Sequence, residues 1–229
     1  MIKKHVPNAL TCANLLCGCI GIVFAFKSQL DITAYAVLLA GIFDFFDGFS
    51  ARILNVKSLI GKELDSLADM VSFGFLPGVV MFQLLVQSDY SSPYLPYFGF
   101  LITVFSALRL AKFNTDTRQT EDFIGLNTPM NTLFIVSLPF IQRDFPDLIS
   151  STLLLLFLTL LMSWLLISEI RIFSLKFGSM KWADNKSKFI FLILSAVLIA
   201  ILKFAAIPFV LILYISSSIL HFRKKQNLL

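Results

Sequence analysis

Long apolar runs separated by short polar breaks dominate the chain. They fall near residues 8–27, 31–54, 65–87, 95–114, 128–142, 149–172, 187–203 and 205–222. Most approach the 20 or so residues that a helix needs to cross a bilayer, the fifth being the least secure in its boundaries. Pro93 and Pro96 mark the third connection, Pro146 marks the fifth, and Pro208 falls in the first turns of the last helix. No segment repeats another closely, and no low-complexity tract or linker sets off a second part. The pattern predicts an all-α integral membrane bundle of eight transmembrane helices, with residues 1–229 forming one domain.

Charge placement orients that bundle. Of 19 Lys and Arg residues, only Lys27, Arg143 and Lys203 fall in connections assigned to the far side. The other sixteen gather on one side if both termini lie there, and the positive-inside rule makes that side cytoplasmic. An odd number of spans would divide the two basic termini across the membrane. The basic connection from Arg171 to Lys188 either fixes topology alone or also meets anionic headgroups. Composition agrees: 57% of residues are hydrophobic, 14% are charged and the mean hydropathy is +0.83. A soluble domain carries roughly 25% charged residues, so a soluble globule, a disordered tail and a collagen-like fibre are excluded. Lys3 and Lys4 precede an apolar stretch, but Pro7, Asn8, Thr11 and Asn14 interrupt it and no small-residue cleavage site follows, so the segment is expected to be retained. Cys12, Cys17 and Cys19 lack metal or disulfide spacing. His5 and His221 flank the first and last segments, too far apart in sequence to define a site.

Four of the fourteen acidic residues stand out because they sit where lipid should be: Asp44, Asp47, Asp65 and Asp69. An ionised carboxylate at membrane depth is costly unless paired, and its default reading is functional. Asp44, Asp47, Gly48 and Ala51 follow i, i+3, i+4, i+7 on one helical face, and Gly61, Asp65 and Asp69 follow i, i+4, i+8 on another. Two antiparallel helices joined by a short turn can bring those faces together at the cytoplasmic membrane edge. About four negative charges meeting there call for divalent cations. Oxygen-only ligands suit Mg²⁺, Mn²⁺ or Ca²⁺ rather than zinc, and two such ions would neutralise four carboxylates. A two-ion carboxylate site is a common device for displacement at phosphorus. Gly48 and Gly61 leave room for a bulky ligand, and Arg52 suits a phosphate oxygen. The competing readings are aspartates paired with Arg52, Lys57 and Lys62, and a divalent-cation transporter. Against the transporter, the carboxylates lie at one membrane edge and the later spans carry no matching acidic group.

The stretch from Asp44 to Asp69 reads D-x2-D-G-x2-A-R-x8-G-x3-D-x3-D. It resembles the signature of the CDP-alcohol phosphotransferases at every fixed position, and so many positions at fixed spacing make the match specific. A narrower resemblance, to the members that use serine, rests on Pro7-Asn8 through Thr11 and Asn14, on Ser72-Phe73-Gly74, on Leu108 to Asn114, on Gly125-Leu126-Asn127-Thr128-Pro129 and on the region Lys176 to Asn185 with Trp182. Lys112 and Asn127 depart from the Arg and Pro that many relatives have there.

The resemblance implies transfer of a phosphatidyl group from CDP-diacylglycerol to the hydroxyl of L-serine, giving phosphatidylserine and CMP. Glycerol 3-phosphate or inositol phosphate is the alternative acceptor. It implies two divalent metal ions, Mg²⁺ or Mn²⁺, held by Asp44, Asp47, Asp65 and Asp69, with Asp69 also the catalytic base. The CDP-diacylglycerol contacts it implies are Asn8, Thr11, Asp44, Gly48, Ala51, Arg52 and Gly61. For serine, depth and chemistry point to Arg109 as the cation for the carboxylate, with Ser72, Lys112, Asn114, Asn127 and Thr128 nearby and Asn131 in the same span. The resemblance further implies a homodimer among membrane lipids, in the cytoplasmic membrane, with the active site facing the cytoplasm.

Overall fold

Pro7 opens the first helix, α1 (Val6–Phe26), where its missing N–H is no loss. The second helix, α2 (Leu30–Ile53), returns alongside it and gives way at Asn55, whose φ of 51° is a left-handed value that asparagine tolerates. Ser58 then caps α3 (Leu59–Asp69), its hydroxyl accepting the Gly61 N–H at 3.2 Å. α3 passes through a π-helical turn, Met70–Phe75, into α4 (Leu76–Val86). A 3₁₀ turn at Leu95–Phe100 leads into α5 (Leu101–Thr115). Beyond lie β1 (Phe123–Ile124), α6 (Thr128–Asp144), the short α7 (Pro146–Ile149) and α8 (Thr152–Ile167). β2 (Arg171–Ile172), α9 (Trp182–Leu202) and α10 (Ala206–Gln226) complete the chain. The structure, a computed structural model, describes residues 5–56, 58–89, 92–118, 122–175 and 182–226. Lys3, Lys4, Lys57, Lys176 and Lys181 of the basic set, with the rest of 176–181, lie outside the described residues.

Among the described residues, five stretches are long and apolar enough to cross a membrane: Val6–Phe26, Leu30–Ile53, Leu59–Val86, Leu95–Thr115 and Asn185–Arg223. α8 is apolar but shorter. The last stretch is not one rod. Lys203, at φ 50°, and the 3₁₀ turn Lys203–Ala205 reverse the chain, so the Phe191 and Tyr214 rings lie 5.2 Å apart. In a continuous helix they would stand about 34 Å apart. Large apolar side chains such as Leu16, Phe45, Leu153 and Trp164 are more than half exposed, as suits a protein whose outer solvent is lipid. The fold is an all-α integral membrane bundle with, among the described residues, one two-residue strand pair.

Helix ends collect in two groups. Arg143 pairs with Asp31, Thr152 Oγ1 donates to Ser88 Oγ at 2.7 Å, and Phe140 stacks on Phe204 at 3.9 Å. Lys27, Arg143 and Lys203, the three outliers of the charge count, therefore share one end of the bundle. The four aspartates lie toward the other.

The third and sixth segments depart from the sequence reading in ways that bear on the site. The third helical passage begins at Leu59 rather than 65, because Ser58 supplies a cap before the apolar run begins. The sixth apolar segment does not remain helical to 172. The Gly125 N–H donates to the Ile170 carbonyl at 2.9 Å, and Phe123 pairs opposite Ile172, drawing Ile170–Ile172 into an extended strap. Gly125 takes φ +78°, and a Cβ there would stand 2.5 Å from the Leu166 carbonyl oxygen, so the strap requires glycine.

At the centre, α4 is apolar on all sides and enclosed: Leu76, Val79, Val80, Met81 and Leu84 are 0–1% exposed. The π turn that precedes it is pinned to three helices by three consecutive residues. Ser72 Oγ donates to the Asn14 carbonyl on α1 at 3.0 Å. Thr132 Oγ1 of α6 donates to the Phe73 carbonyl at 2.9 Å, and Thr103 Oγ1 of α5 to the Gly74 carbonyl at 3.2 Å. A π turn disturbs the i→i−4 ladder, and neighbouring hydroxyls serve the carbonyls it exposes. Gly18 permits the approach of α1, since a Cβ there would sit 2.4 Å from Ser72 Oγ.

Candidate active site

α2 and α3 both pack on α1, and their acidic side chains meet beside it. Carboxylate oxygens of Asp44, Asp47 and Asp65 lie within 4.8 Å of one another. Thr11 on α1 donates its hydroxyl to Asp47 Oδ2 at 2.7 Å. Asp69 stands one helical turn beyond Asp65 and outside that trio, within electrostatic reach of Asp44 and Asp65. Asn14 Nδ2 donates to its Oδ1 at 3.4 Å. The sequence reading expected four carboxylates to converge; three form the cluster and the fourth adjoins it.

Among the described residues no Lys or Arg pairs with any of the four. Arg52 instead turns its Nε to the Gly48 carbonyl at 3.0 Å on its own helix. Like charges at such separations repel by roughly 3 kcal/mol per pair at an effective dielectric near 20. An all-oxygen donor set of this kind fits a hard divalent cation.

Beside the trio opens a cavity of about 510 Å³. Five residues assigned from the sequence to the nucleotide portion line it: Asn8, Thr11, Gly48, Ala51 and Gly61. Ser58 and Lys62 also line it, and sequence reasoning did not place them there. Lys62 directly follows the motif glycine, which was the available signal. A side chain at Gly48 would meet nothing within 4 Å, whereas a Cβ at Gly61 would approach Asn8 Oδ1 to 3.0 Å. Gly48 therefore answers to no packing demand of the fold, while Gly61 also allows α1 and α3 to close. Asp44 and Arg52 do not line this cavity.

The α5–α6 side is built differently. Arg109 is 6% exposed, and its guanidinium carbon lies 5.0 Å from the Phe113 ring centroid and 5.9 Å from that of Phe123. Its Nε has no hydrogen-bond partner, nor have Thr128 Oγ1, Ser106 Oγ, Asn14 Oδ1 or either end of the Asn131 carboxamide. Each such buried group costs about 1–3 kcal/mol if left unserved. These residues come from α1, α5 and α6, the helices that pin the π turn. Arg109 also feels the charge of Asp69.

The other residues assigned to serine have partners within the fold. Asn127 caps α6, accepting the Met130 N–H at 2.9 Å, and Asn114 Nδ2 donates to Ser66 Oγ at 2.8 Å. Ser72 is held by Asn14. Lys112 pairs with Glu169 at 2.5 Å in an exposed network with Arg118 and Asp116. That hydrogen bond holds the Glu169 carboxyl below its ordinary range. Asn14 and Ser106 were not assigned from the sequence, although each is a polar residue within an apolar span.

The CDP-alcohol phosphatidyltransferase family model matches residues 4–216. The CDP-diacylglycerol–serine O-phosphatidyltransferase of Helicobacter pylori (strain ATCC 700392 / 26695) is 30% identical over 213 residues, covering 91% of this chain and 87% of that protein. The Bacillus subtilis (strain 168) protein of the same name is 31% identical over 141 residues, 60% of this chain and 76% of the other. The archaetidylserine synthase of Methanothermobacter thermautotrophicus is 31% identical over 134 residues, 58% and 56% of the two chains.

Proposed function

The chain belongs to the CDP-alcohol phosphatidyltransferase family, and from that premise we infer that it transfers the phosphatidyl group of CDP-diacylglycerol to L-serine, releasing CMP. The observation that carries the serine assignment is Arg109: a buried guanidinium with an unpartnered Nε and, among the described residues, no carboxylate paired with it. An acceptor bearing its own carboxylate would complete it, and a planar fork suits that group. Thr128 Oγ1 adds a second unserved group on the same side. The relatives named for serine transfer favour the same acceptor.

On this reading Asp44, Asp47 and Asp65 hold divalent metal, two ions per site with Asp69 as the fourth ligand, and Mg²⁺ or Mn²⁺ as the species. Bound metal would neutralise the pyrophosphate and the charge that grows on departing CMP. The cavity lined by Asn8, Gly48, Ala51 and Gly61 receives the CDP portion, with Lys62 supplying a cation for its phosphates. Asp69 takes the proton from the serine hydroxyl as its oxygen attacks the phosphorus that carries the diacylglycerol. A new P–O bond to serine forms, the pyrophosphate P–O bond breaks, and CMP leaves with the bridging oxygen. A positioned carboxylate base contributes about 10²–10⁴-fold to such a step. Thr11 and Asn14 orient Asp47 and Asp69 through the bonds given above. Attack is direct, since no separate nucleophile lies among these residues. The eight helical passages run between the two ends of the bundle, with both termini and the active site on the cytoplasmic side, where serine arrives.

The test is CMP release by the detergent-solubilised protein given CDP-diacylglycerol, divalent metal and one acceptor at a time. Release should require serine. Equal or greater release with glycerol 3-phosphate or inositol phosphate would reassign the acceptor, and no release with any acceptor, together with metal flux into vesicles, would identify a transporter.

A further inference from the structure

Asn131 is fully buried, and neither its Oδ1 nor its Nδ2 has a hydrogen-bond partner. A carboxamide in that state leaves a donor and an acceptor unserved at once, a larger deficit than any other residue on this side carries. Its position is fixed. Thr132, the next residue, bonds the Phe73 carbonyl and sets the rotation of α6 against the π turn. Thr128, one turn earlier on the same face, ends in an unpartnered hydroxyl. Arg109 accounts for the acceptor's carboxylate and nothing else. An α-amino acid brings an ammonium as well, which needs an oxygen to accept its protons.

We propose that Asn131 is the specificity-determining residue for the amino group of the acceptor. Its Oδ1 accepts from the ammonium while its Nδ2 donates to the carboxylate held by Arg109. This rests on the serine reading above and deepens it, since it explains how an amino acid is told from a hydroxy acid of the same length. Selectivity of this kind is strong because the analogue lacking the group leaves the carboxamide unpaired.

The experiment compares the full-length protein with Asn131→Leu and Asn131→Asp, using serine and 3-hydroxypropanoate, which is serine without its amino group. Asn131→Leu should raise the KM for serine by about tenfold or more, leave the KM for CDP-diacylglycerol nearly unchanged, and reduce the preference for serine over 3-hydroxypropanoate by the same factor. Asn131→Asp keeps an oxygen facing the ammonium but sets a second carboxylate against the acceptor's own, so its serine KM should rise too, while the preference for serine over 3-hydroxypropanoate should stay within about threefold of wild type or increase. An unchanged serine KM in the Leu variant, an equal rise for both substrates, or an unchanged preference would overturn the proposal. Should Asn131→Leu fail to fold, an Asn131→Asp protein that loses the preference for serine over 3-hydroxypropanoate by about tenfold would overturn it as well. A wild-type protein that releases no CMP with serine would instead refute the acceptor reading itself.

Discussion

The acidic trio on α2 and α3 and the polar group on α5 and α6 stand toward the same end of the bundle, yet they leave different groups unsatisfied. The trio carries charge in excess: three carboxylates within 4.8 Å of one another, with no basic residue paired to them among the described residues. The α5–α6 side carries hydrogen-bonding capacity in excess: Arg109, Thr128 and Asn131 are buried with atoms that meet no partner. On the proposed reading the first deficit would be cancelled by cations, the second by a small ligand that carries both signs. If the two regions serve different substrates as proposed, damage to each should read out differently.

The largest effect expected is from Asp69→Asn, which should lower turnover by about 10²–10⁴-fold while CDP-diacylglycerol still binds. An Asn variant that kept about a tenth or more of wild-type turnover would deprive Asp69 of the base role. Chelation addresses the same side: EDTA should abolish CMP release, and Mn²⁺ or Mg²⁺ should restore it. Thr11→Val, which removes the hydroxyl that donates to Asp47, should weaken metal affinity by about 10–100-fold, measured as the metal concentration for half-maximal rate. Thr132→Val removes the partner of the Phe73 carbonyl and should cost about 1 kcal/mol of stability, read by thermal unfolding in detergent. Lys112→Gln should change least. Its partner Glu169 is exposed, so the serine KM should stay within about twofold of wild type. Because the pair holds the Glu169 carboxyl low, whatever stability it adds is present above the ordinary glutamate range and is lost as the pH falls through the lowered value.

The acidic side was legible in the sequence because its geometry is local. Helical spacing alone puts Asp44, Asp47 and Gly48 on one face and Gly61, Asp65 and Asp69 on another, and a short connection keeps the two faces within reach once both helices pack on α1. The unserved polar atoms of α1, α5 and α6 come from positions 14, 106, 109, 128 and 131, and nothing in the spacing of those residues says which will find no partner in the fold. Arg109 was found because a charge at membrane depth is conspicuous. Asn127 caps a helix and Asn114 braces α3, partners the sequence did not announce, since an asparagine in sequence does not reveal whether it serves backbone, neighbour or substrate. The π turn left no periodic signature. It depends on hydroxyls from Thr103 and Thr132 that reach it across the fold. The extended strap at 171–172 was hidden for a related reason: Ile170 and Ile172 continue an apolar run, and only the pairing with 123–125 ends the helix.

The central claim is that the two regions serve two substrates, and Arg109→Lys tests it most directly. The measurement is a pair of steady-state KM values, one for serine at saturating CDP-diacylglycerol and one for CDP-diacylglycerol at saturating serine. The lysine keeps the charge and loses the planar fork, so the serine KM should rise by about tenfold or more while the CDP-diacylglycerol KM stays nearly unchanged. Equal rises for both substrates, or no rise for either, would contradict the separation.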